Sequence, residues 1–549
     1  MMENNQTVTK FEFLPNEIII ECFGYLNTLE IFSSFGQLNL RFDQLIGRVP
    51  LHPDFENASQ TISERFCQKM LNDPEMKRYI HSLSISNSNP SIDIRSFYGK
   101  FSLSDFPCLQ SLTLTKVESI NMDKLTIMLS SMPSLTCFRV IGSEGYNNAL
   151  ISSLDHSRIQ TLIISKLYGG LTFLSNFQSL TSFTINACSI HQVFSVLNNT
   201  SNLKYLQVNC LSNDIAEFYE KIRLSVDSLR HLVINETKLE FYHIQMILKH
   251  TPNLTHFTLF TYSLWNSGCA QRWEHVIHND LPYLKVFKFC FQYFRTANEQ
   301  YIEEDLKKFQ SDFWCNVHGW LTEYILSYDR AMIYTVPYEF PTLQLPCPME
   351  RYRNTVVNER NTFNKVIVLK IDSDRLRRRT FDEENIPVWF PYLCNVKHLE
   401  VLHECQLHNP LVMLQILKEI RQISSLTIPA TVLQKWWNNN ELCQYLNQMI
   451  HKLCMKGTLQ FSRPLDIMEQ FCRLFSNVQH LTCTVDRSSY VLFISTHLRN
   501  LIYANFTSTR DDITHESLQN DILRLGMNVQ FHVDPITLPR ISILVYRNV

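Results

Sequence analysis

Glycine is scarce in this chain, which has 12 glycines among 549 residues. Because the glycines are so few, every glycine-dependent motif can be checked directly. The sequence contains no G-x-G-x-x-G, no G-x-x-x-x-G-K-[ST] and no G-x-S-x-G. These absences exclude the usual dinucleotide-binding, P-loop and nucleophile-elbow signatures, and with them the commonest sequence evidence for those enzyme classes.

Cysteine pairs at metal-binding spacing are also missing. None of the 16 cysteines lies three residues from another, so no C-x-x-C exists for zinc, haem or thioredoxin-like chemistry. Their spread from Cys22 to Cys483 is typical of small buried apolar residues in a reducing compartment. The chain has no apolar run of about 18 residues and no basic segment followed by an apolar one near Met1. We therefore expect a soluble protein of the cytoplasm or nucleus, without a membrane partner.

Excess charge of either sign is absent as well. Lys and Arg total 50 and Asp and Glu total 52, so no global field exists to gather nucleic acid, and we expect no nucleic-acid partner. What the chain does have is apolar content, at 45% of residues. A chain of this length and composition can build several domains or one long repeat array.

An apolar L-x-x-L-x-L triplet recurs along the first half of the chain. Its first positions are Leu109, Leu135, Ile159, Leu180, Leu203, Leu229, Leu254 and Leu284, which gives successive steps of 26, 24, 21, 23, 26, 25 and 30. Four prolines lie two residues before a first position: Pro107, Pro133, Pro252 and Pro282. Proline there ends a preceding helix and favours an extended chain, so the register predicts one strand per repeat.

Helical patterns lie between the predicted strands. One places Leu125, Met128, Leu129 and Met132 on a single face, and Ile244, Ile247 and Leu248 form another. A strand followed by a helix once every ~25 residues is typical of leucine-rich repeats, and this stretch resembles the irregular repeats of the ribonuclease-inhibitor-like class. The asparagine or cysteine usual after the triplet occurs once, as Cys188, where other repeats have Val117, Leu167 or Thr237.

The repeat register breaks after Phe289 and resumes at Val366 and Val396, with later repeats centred on Leu426, Leu481 and Leu501. Two β-rich stretches flank residues 327–330 and predict a hairpin. We interpret residues 291–362 as an insertion. Repeats too degraded to recognise remain an alternative.

The N-terminal residues do not share the repeat period. Their helical spacing predicts two or three short helices, which would bury too little surface to be stable alone. Residues 11–50 resemble an F-box, on these positions: Leu14, Pro15, Glu17, Ile18, Ile19, Phe23, Leu26, Glu30 and Ile31, then Leu38, Asn39, Arg41, Phe42 and Leu45. Departures from the family pattern are Glu30 for Asp, Leu38 for Val, Phe42 for Trp, and Gly36 inside a helix.

The resemblance implies a role without chemistry of its own. F-box proteins dock on the Skp adaptor of a cullin–RING (SCF-type) ubiquitin ligase, and a second domain selects the protein to be ubiquitylated. The residues expected to face the adaptor are Leu14, Pro15, Ile18, Ile19, Phe23, Leu26 and Ile31. The alternative is that the helices only cap the first repeat by covering its apolar edge.

The positions between the apolar strand residues should face a target. Those we expect to bind a substrate are Tyr205, Gln207, His231, His256, Lys288, Lys370 and His398. They are mostly neutral and polar, without the aromatic and basic pattern that binds single-stranded nucleic acid, so a protein or peptide partner suits them better.

Other motifs give weaker hypotheses. His403 and His408 are five apart, whereas a zinc-binding H-E-x-x-H needs four, and we expect no metal or cofactor. Arg375 to Arg379 precede acidic residues and indicate a solvated loop, a phosphate-binding patch or a nuclear-import signal. Cys315 and His318 are the only local pair that could serve a hydrolase or transferase in the 290–365 segment, and core packing explains both more simply.

The predicted fold class is α+β: a small all-α F-box followed by an α/β leucine-rich repeat horseshoe. The predicted domains are 11–50 (F-box-like), 51–75 (linker or cap), 76–290 (first repeat block), 291–362 (insertion) and 363–549 (second repeat block). The predicted function is a non-catalytic substrate receptor of an SCF-type ubiquitin ligase, with the Skp adaptor, a cullin and an unknown target protein as partners. A repeat scaffold without ubiquitylation is the alternative.

Overall fold

A computed structural model gives the structure of the chain. It describes residues 11–56, 58, 60–87, 94–117, 122–132, 134–142, 147–154, 158–166, 174, 176–213, 225–263, 270–294, 302–327, 330–347, 349–353, 362–373, 390–402, 409–436, 438–458, 464–485, 488–508, 529–534 and 541–547. The chain divides into two compact units. Unit 1 comprises Met1–Tyr262 and His275–Val286, and unit 2 comprises Ser263–Glu274 and Phe287–Val549.

The described α-helices are short. In chain order they are α1 (Asn16–Phe23), α2 (Thr28–Phe35), α3 (Leu40–Ile46), α4 (Gln60–Asn72), α5 (Ile94–Lys100), α6 (Met122–Leu129), α7 (Asn147–Ser152), α8 (Ile190–Asn199), α9 (Phe241–Lys249), α10 (Ala270–Asp280), α11 (Ile302–Lys307), α12 (Pro410–Glu419), α13 (Ala430–Trp436), α14 (Asn440–Met449), α15 (Pro464–Leu474) and α16 (Ser488–His497).

Between these helices lie the described strands. They are β1 (Ser82–Ser86), β2 (Ser111–Thr115), β3 (Cys137–Ile141), β4 (Thr161–Lys166), β5 (Ser182–Ser189), β6 (Tyr205–Ser212), β7 (His231–Thr237), β8 (His256–Ser263), β9 (Val286–Phe294), β10 (Thr322–Ser327), β11 (Arg330–Thr335), β12 (Thr342–Cys347), β13 (Met349–Tyr352), β14 (Val368–Ser373), β15 (His398–Val401), β16 (Ser425–Pro429), β17 (Lys452–Thr458), β18 (His480–Val485), β19 (Tyr503–Ser508), β20 (Val529–Asp534) and β21 (Ile541–Arg547).

In unit 1, strands β1 to β8 form a parallel sheet in sequence order. The triplets predicted from the sequence supply buried positions in and just before strands β2 to β9. Every residue of the eight predicted triplets is at most 6% exposed. The prediction of a mixed α/β protein with a large parallel sheet is confirmed.

At one position where leucine-rich repeats usually have asparagine or cysteine, this chain has Thr237. Thr237 is buried, and its hydroxyl donates to the Leu211 carbonyl at 3.0 Å. The Leu239 N–H donates to the same Thr237 oxygen at 3.1 Å. A buried hydroxyl therefore satisfies backbone groups of two neighbouring turns, as an asparagine amide would.

The N-terminal residues form three helices, α1 to α3. Helix α2 begins with a reciprocal cap, since the Leu29 N–H donates to Asn27 Oδ1 at 3.1 Å and the Asn27 N–H donates to Glu30 Oε2 at 3.0 Å. Phe42 and Phe35 pack together with ring centroids 5.6 Å apart. The sequence predicts Gly36 inside a helix, and this prediction is wrong. Gly36 ends α2 in an extended conformation with ψ at 132°.

Gly36 gives a stability prediction. A Cβ at this position would lie 2.6 Å from the Phe32 carbonyl oxygen, closer than real contacts allow. Gly36→Ala must therefore shift backbone, at a cost of about 1–3 kcal/mol. The measurement is hydrogen exchange of the α2 and α3 amides. Gly99→Ala is the matched control, because a Cβ there meets nothing within 4 Å and Gly99 lies in α5, where alanine stabilises. Equal exchange in both variants would contradict the prediction.

The segment from Leu51 to Phe55 covers the edge of β1. The Leu51 N–H donates to the Tyr79 carbonyl at 2.7 Å, and the Phe55 N–H donates to the Ser84 carbonyl at 3.0 Å. Isolated parallel bridges pair Leu51 with Ile80 and Asp54 with Ser84. These residues, which the sequence places in a linker or cap, therefore lie along the otherwise open edge of this sheet.

Unit 2 contains two kinds of strand arrangement. Strand β11 pairs with β9 and β10, and β10 pairs with β13, all antiparallel. The β10–β11 pair lies where the sequence predicts a hairpin. Strands β12, β14, β15, β16, β17, β18 and β19 form a parallel sheet in that order, followed by the antiparallel strands β21 and β20.

Repeats begin earlier in unit 2 than predicted. Strand β12 pairs in parallel with β14, and Phe340, Leu343 and Leu345 form a buried triplet inside the segment interpreted as an insertion. A further unrecognised triplet is Ile450, Leu453 and Met455. From Phe340 to Leu501 the first positions advance in steps of 26, 30, 27, 27, 28 and 23. The C-terminal end of the 291–362 segment therefore belongs to the parallel sheet and not to an insertion.

Candidate functional site

Exposed apolar side chains are concentrated at the N-terminus. The described residues include 18 exposed large hydrophobic side chains, and eight of them lie between Phe11 and Leu40. These eight, which we term the N-terminal apolar set, are Phe11, Phe13, Ile18, Ile20, Tyr25, Leu26, Leu38 and Leu40. Exposed apolar residues are otherwise usually scattered singly, so this concentration in a short segment makes the N-terminal apolar set the candidate interaction site.

The seven residues predicted to face an adaptor divide into two groups. Ile18 and Leu26 are exposed, at 43% and 38%, and Pro15 is also exposed. Leu14 is half-buried. Ile19, Phe23 and Ile31 are at most 4% exposed, so they hold the three helices together and cannot contact a partner in this arrangement. The exposed residues are the ones available for docking.

Arg41 fixes the entry to α1. Its guanidinium donates to the Leu14 carbonyl at 2.5 Å, to the Glu12 carbonyl, and to Asn16 Oδ1 at 2.9 Å from Nε and 2.7 Å from Nη2. Because guanidinium nitrogens are always charged and arranged as a planar fork, one side chain can hold several carbonyl groups at once. Arg41 therefore positions the segment that carries Phe13 and Pro15.

The three helices are attached to the segment from Leu51 to Phe55 and to α4 without using the N-terminal apolar set. The Asn27 amide donates to the Asp54 carbonyl at 3.3 Å, and the His52 N–H donates to the Thr28 hydroxyl at 2.7 Å. Phe32 packs on Phe66 with ring centroids 5.0 Å apart. Since Leu51 to Phe55 cover the edge of β1, capping does not account for the exposed side chains of α1.

The strand face of unit 1 is a hydrogen-bonded polar surface. The Tyr205 hydroxyl lies 2.6 Å from Gln207 Oε1, and the Gln207 amide donates to Asn209 Oδ1 at 2.8 Å. The Asn209 oxygen also accepts from the Asn235 amide at 2.7 Å, and the Asn209 amide donates to Asn186 at 3.2 Å. These residues lie on β5, β6 and β7, and they are held in fixed orientations by one another.

Two of the predicted substrate-binding histidines are neighbours on this face. His231 and His256 occupy paired positions on β7 and β8, with rings stacked 4.2 Å apart. Tyr205 lies beside His231, with ring centroids 6.2 Å apart. Tyr205, Gln207, His231 and His256 are all half-buried. The structure therefore brings these four predicted residues to one surface.

The predicted residues of unit 2 take part in ion pairs and a hydrogen bond. Lys288 Nζ lies 2.8 Å from Glu339, and Lys370 Nζ lies 3.1 Å from Glu400. His398 donates to or accepts from the Ser425 hydroxyl at 2.8 Å. Burial lowers the pKa of His398, although Glu400 nearby opposes this, so the imidazole is neutral at pH 7.

Sequence reasoning missed several residues of these surfaces. Asn186 and Asn209 lie directly after the triplets of β5 and β6, and this regular spacing was the signal that could have identified them. Lys456 follows a triplet that was not recognised. Its contact with Glu400, 56 residues away, has no signal in the sequence.

The rival sites gain no support in the described residues. Cys315 and His318 both lie among those residues, and no hydrogen bond joins them. Burial raises the pKa of the Cys315 thiol, which opposes activation as a nucleophile, and the His318 ring stacks on Trp320 at 4.1 Å. His403, His408 and the arginine run from Arg375 to Arg379 lie outside the described residues. Within the described part of the chain, no cluster of three or more His, Cys, Asp or Glu could hold a metal ion.

Among the described helices, none combines the length and apolarity needed to cross a bilayer.

The repeating unit, a buried L-x-x-L-x-L strand in a parallel sheet, has leucine-rich-repeat character. A solved structure that this chain resembles weakly is that of the leucine-rich repeat-containing protein LegL7 from Legionella pneumophila. The TM-score is 0.26 and the identity 13%, covering 44% of this chain and 89% of that one. A likeness of this size carries no argument, so the repeat assignment rests on strand register and burial. No family model and no curated protein matches the chain.

Proposed function

We propose that this chain is a non-catalytic substrate receptor of an SCF-type ubiquitin ligase. In this proposal the N-terminal helices act as an F-box that docks on the Skp adaptor and so reaches the cullin, and the repeats bind the target protein. The observation that carries the proposal is the N-terminal apolar set, eight exposed residues on a segment that resembles an F-box. A protein of this function works in the cytoplasm or nucleus.

The adaptor contact would differ in detail from the sequence prediction. Ile18 and Leu26 supply exposed apolar surface, whereas Ile19, Phe23 and Ile31 form the core that shapes it. Apolar side chains that are exposed in the free protein and buried in the complex are the usual source of binding free energy at interfaces.

The mechanism in this proposal is proximity. A receptor holds the target near the ubiquitin-loaded enzyme and so raises the effective concentration of the target's lysines. Contacts such as those of Asn27 with Asp54 and of Phe32 with Phe66 attach the docking helices to the capping segment and α4 within unit 1. A fixed attachment reduces the conformational freedom that the complex must lose.

The test is co-expression of the full chain with a Skp adaptor, followed by co-purification. We expect a stoichiometric complex from the parent chain and a reduced yield from Leu14→Ala/Pro15→Ala. A folded parent chain that recovers no adaptor would refute the ligase function.

A second candidate is a scaffold that assembles partner proteins without ubiquitylation. The packing of the N-terminal helices on the capping segment and α4 favours it, because a scaffold requires those helices only to complete the fold. It predicts no adaptor binding and intact target binding.

A further inference from the structure

Lysines from two strands converge on one carboxylate on the parallel sheet of unit 2, and a third lysine lies nearby in the same sheet. Glu400 on β15 accepts from Lys370 on β14 at 3.1 Å and from Lys456 on β17 at 2.5 Å. Lys452 is exposed and also lies on β17, two residues before Cys454. We call Lys370, Glu400, Lys452 and Lys456 the lysine face.

The lysine face presents ammonium groups rather than the carboxylate. The Glu400 side chain is 13% exposed, whereas the Lys370 and Lys456 side chains are 33% and 50% exposed. Burial opposes ionisation of Glu400, but the two ammonium groups outweigh it and lower the pKa of this carboxyl, which stays charged at neutral pH. The Glu400 carboxylate therefore pairs with both ammonium groups and is less exposed than either lysine side chain.

The strand between them lets the lysines converge. Strand β16 places Thr427 beside Glu400 and Pro429 beside Lys456, and neither side chain is long enough to block the path between Lys456 and Glu400. Lys456 reaches Glu400 across β16, a span of two strand spacings or about 10 Å. The side chains of Lys370 and Lys456 are thus held in place before any ligand binds, which reduces the entropy lost on binding.

The local charge is opposite in sign to that of the whole chain. Three lysines and one glutamate give the lysine face a net charge of +2, against −2 for the full sequence. On β14 to β17, the residues of the lysine face alternate with the buried residues of the triplets. The other carboxylate at one of these alternate positions is Asp372, which pairs with Arg330 at 2.7 Å. Among the described residues at those alternate positions the only aromatic ring is the imidazole of His398, so successive bases of a nucleic acid would find no row of rings on which to stack.

We propose that the lysine face binds an acidic stretch of extended polypeptide. Carboxylates of the ligand would pair with Lys452 and with the outward N–H groups of Lys370 and Lys456, which Glu400 satisfies only in part. The distance from β14 to β17, about 14 Å, matches four to five residues of extended chain. This inference deepens the proposed function by naming the chemistry of the target, and its test needs no adaptor.

The test measures fluorescence anisotropy of labelled ten-residue peptides with the full chain. The probes are an alternating Glu–Gly peptide, the same peptide with Gln for Glu, and the same peptide with phosphoserine for Glu. We expect the Glu peptide to bind and the Gln peptide to bind at least tenfold more weakly. Affinity should fall as the Debye length shrinks from about 10 Å at 0.1 M salt to about 3 Å at 1 M. Tighter binding of the phosphoserine peptide would assign phosphate as the source of the charge, and equal or weaker binding would assign carboxylate.

Variants of the lysine face give effects of opposite sign. Lys370→Gln/Lys456→Gln should weaken Glu-peptide binding about tenfold, the loss of two exposed charge pairs. Glu400→Gln should strengthen binding about threefold, because removing the carboxylate raises the net charge of the lysine face from +2 to +3 and this gain outweighs the loss of lysine ordering. Lys418→Gln is the matched control, since Lys418 pairs with Glu441 on helices at 2.8 Å, and it should leave binding unchanged.

The variants must have the same thermal unfolding midpoint as the parent chain, which shows that they are folded. Three results would then overturn the proposal. They are equal binding of the Gln and Glu peptides, weaker binding after Glu400→Gln, and tighter binding of a ten-nucleotide single-stranded DNA than of the Glu peptide. Because no adaptor is present, failure here leaves the ligase function standing, and failure of adaptor co-purification leaves this proposal standing.

Discussion

Replacing Ile18 and Leu26 together by glutamate is expected to abolish co-purification with a Skp adaptor while leaving the fold intact. Both side chains are exposed in the free chain, at 43% and 38%, so two carboxylates there stay in water until a partner covers them. A buried unpaired charge costs several kcal/mol, and removing two central apolar anchors at about 2 kcal/mol each weakens binding about a thousandfold.

The matched control is Ile127→Glu/Leu411→Glu. These two residues are also exposed, at 73% and 45%, but they belong to α6 and α12 and not to the N-terminal helices. The control pair should retain adaptor binding. Loss of binding in both pairs would attribute the effect to charge in general, and retention in both would exclude the N-terminal apolar set as the docking site.

Replacing Arg351 by methionine should destabilise the antiparallel strands of unit 2 by about 3–5 kcal/mol, the usual cost of leaving one partner of a buried ion pair alone. Arg351 Nη2 lies 2.6 Å from Glu323 Oε2, and both side chains are 2% exposed. The Tyr334 hydroxyl donates to the same oxygen at 3.1 Å, and Arg351 lies over the Phe363 ring at 4.9 Å. Without the guanidinium, Glu323 must ionise in an apolar site or take up a proton.

The measurement is native-state hydrogen exchange of the β10 and β11 amides, which reports local opening. Glu323→Leu/Arg351→Met serves as the comparison, because removing both charges avoids the unpaired carboxylate and should restore most of the lost stability. A loss below about 1 kcal/mol in Arg351→Met would show that water or another group compensates Glu323.

The sequence pattern predicted the strands of unit 1 well because each triplet is built from large apolar residues that a parallel sheet buries on one side. Leu112 and Leu114 on β2 are an example, at 0% exposure. The pattern failed at Phe340, because the antiparallel strands β10 and β11 before it do not follow the repeat period from which the register could be extended. The sequence period therefore could not predict where the parallel sheet of unit 2 begins, because that start is set by the pairing of β12 with β14.

The same reasoning explains the errors in the candidate site. Ile18, Ile19 and Ile20 are consecutive, so spacing alone does not decide which side of α1 faces inward, and only Ile19 of the three is buried. Contacts between repeats are equally hidden. Lys456 meets Glu400 because β17 lies two strands from β15, which becomes known only once every repeat in between has been assigned.

The segment from Leu51 to Phe55 has a consequence for self-association. An open strand edge offers a row of free N–H and C=O groups on which another chain can add a strand, and it is a common route to aggregation. In unit 1 that row on β1 is already occupied by the chain's own backbone, through bonds such as those from Ser84 to Pro53 and from Phe55 to Ser84. Any partner that extended this sheet at β1 would first have to displace residues that also hold the N-terminal helices, so strand addition at β1 and an intact N-terminal helical arrangement exclude each other.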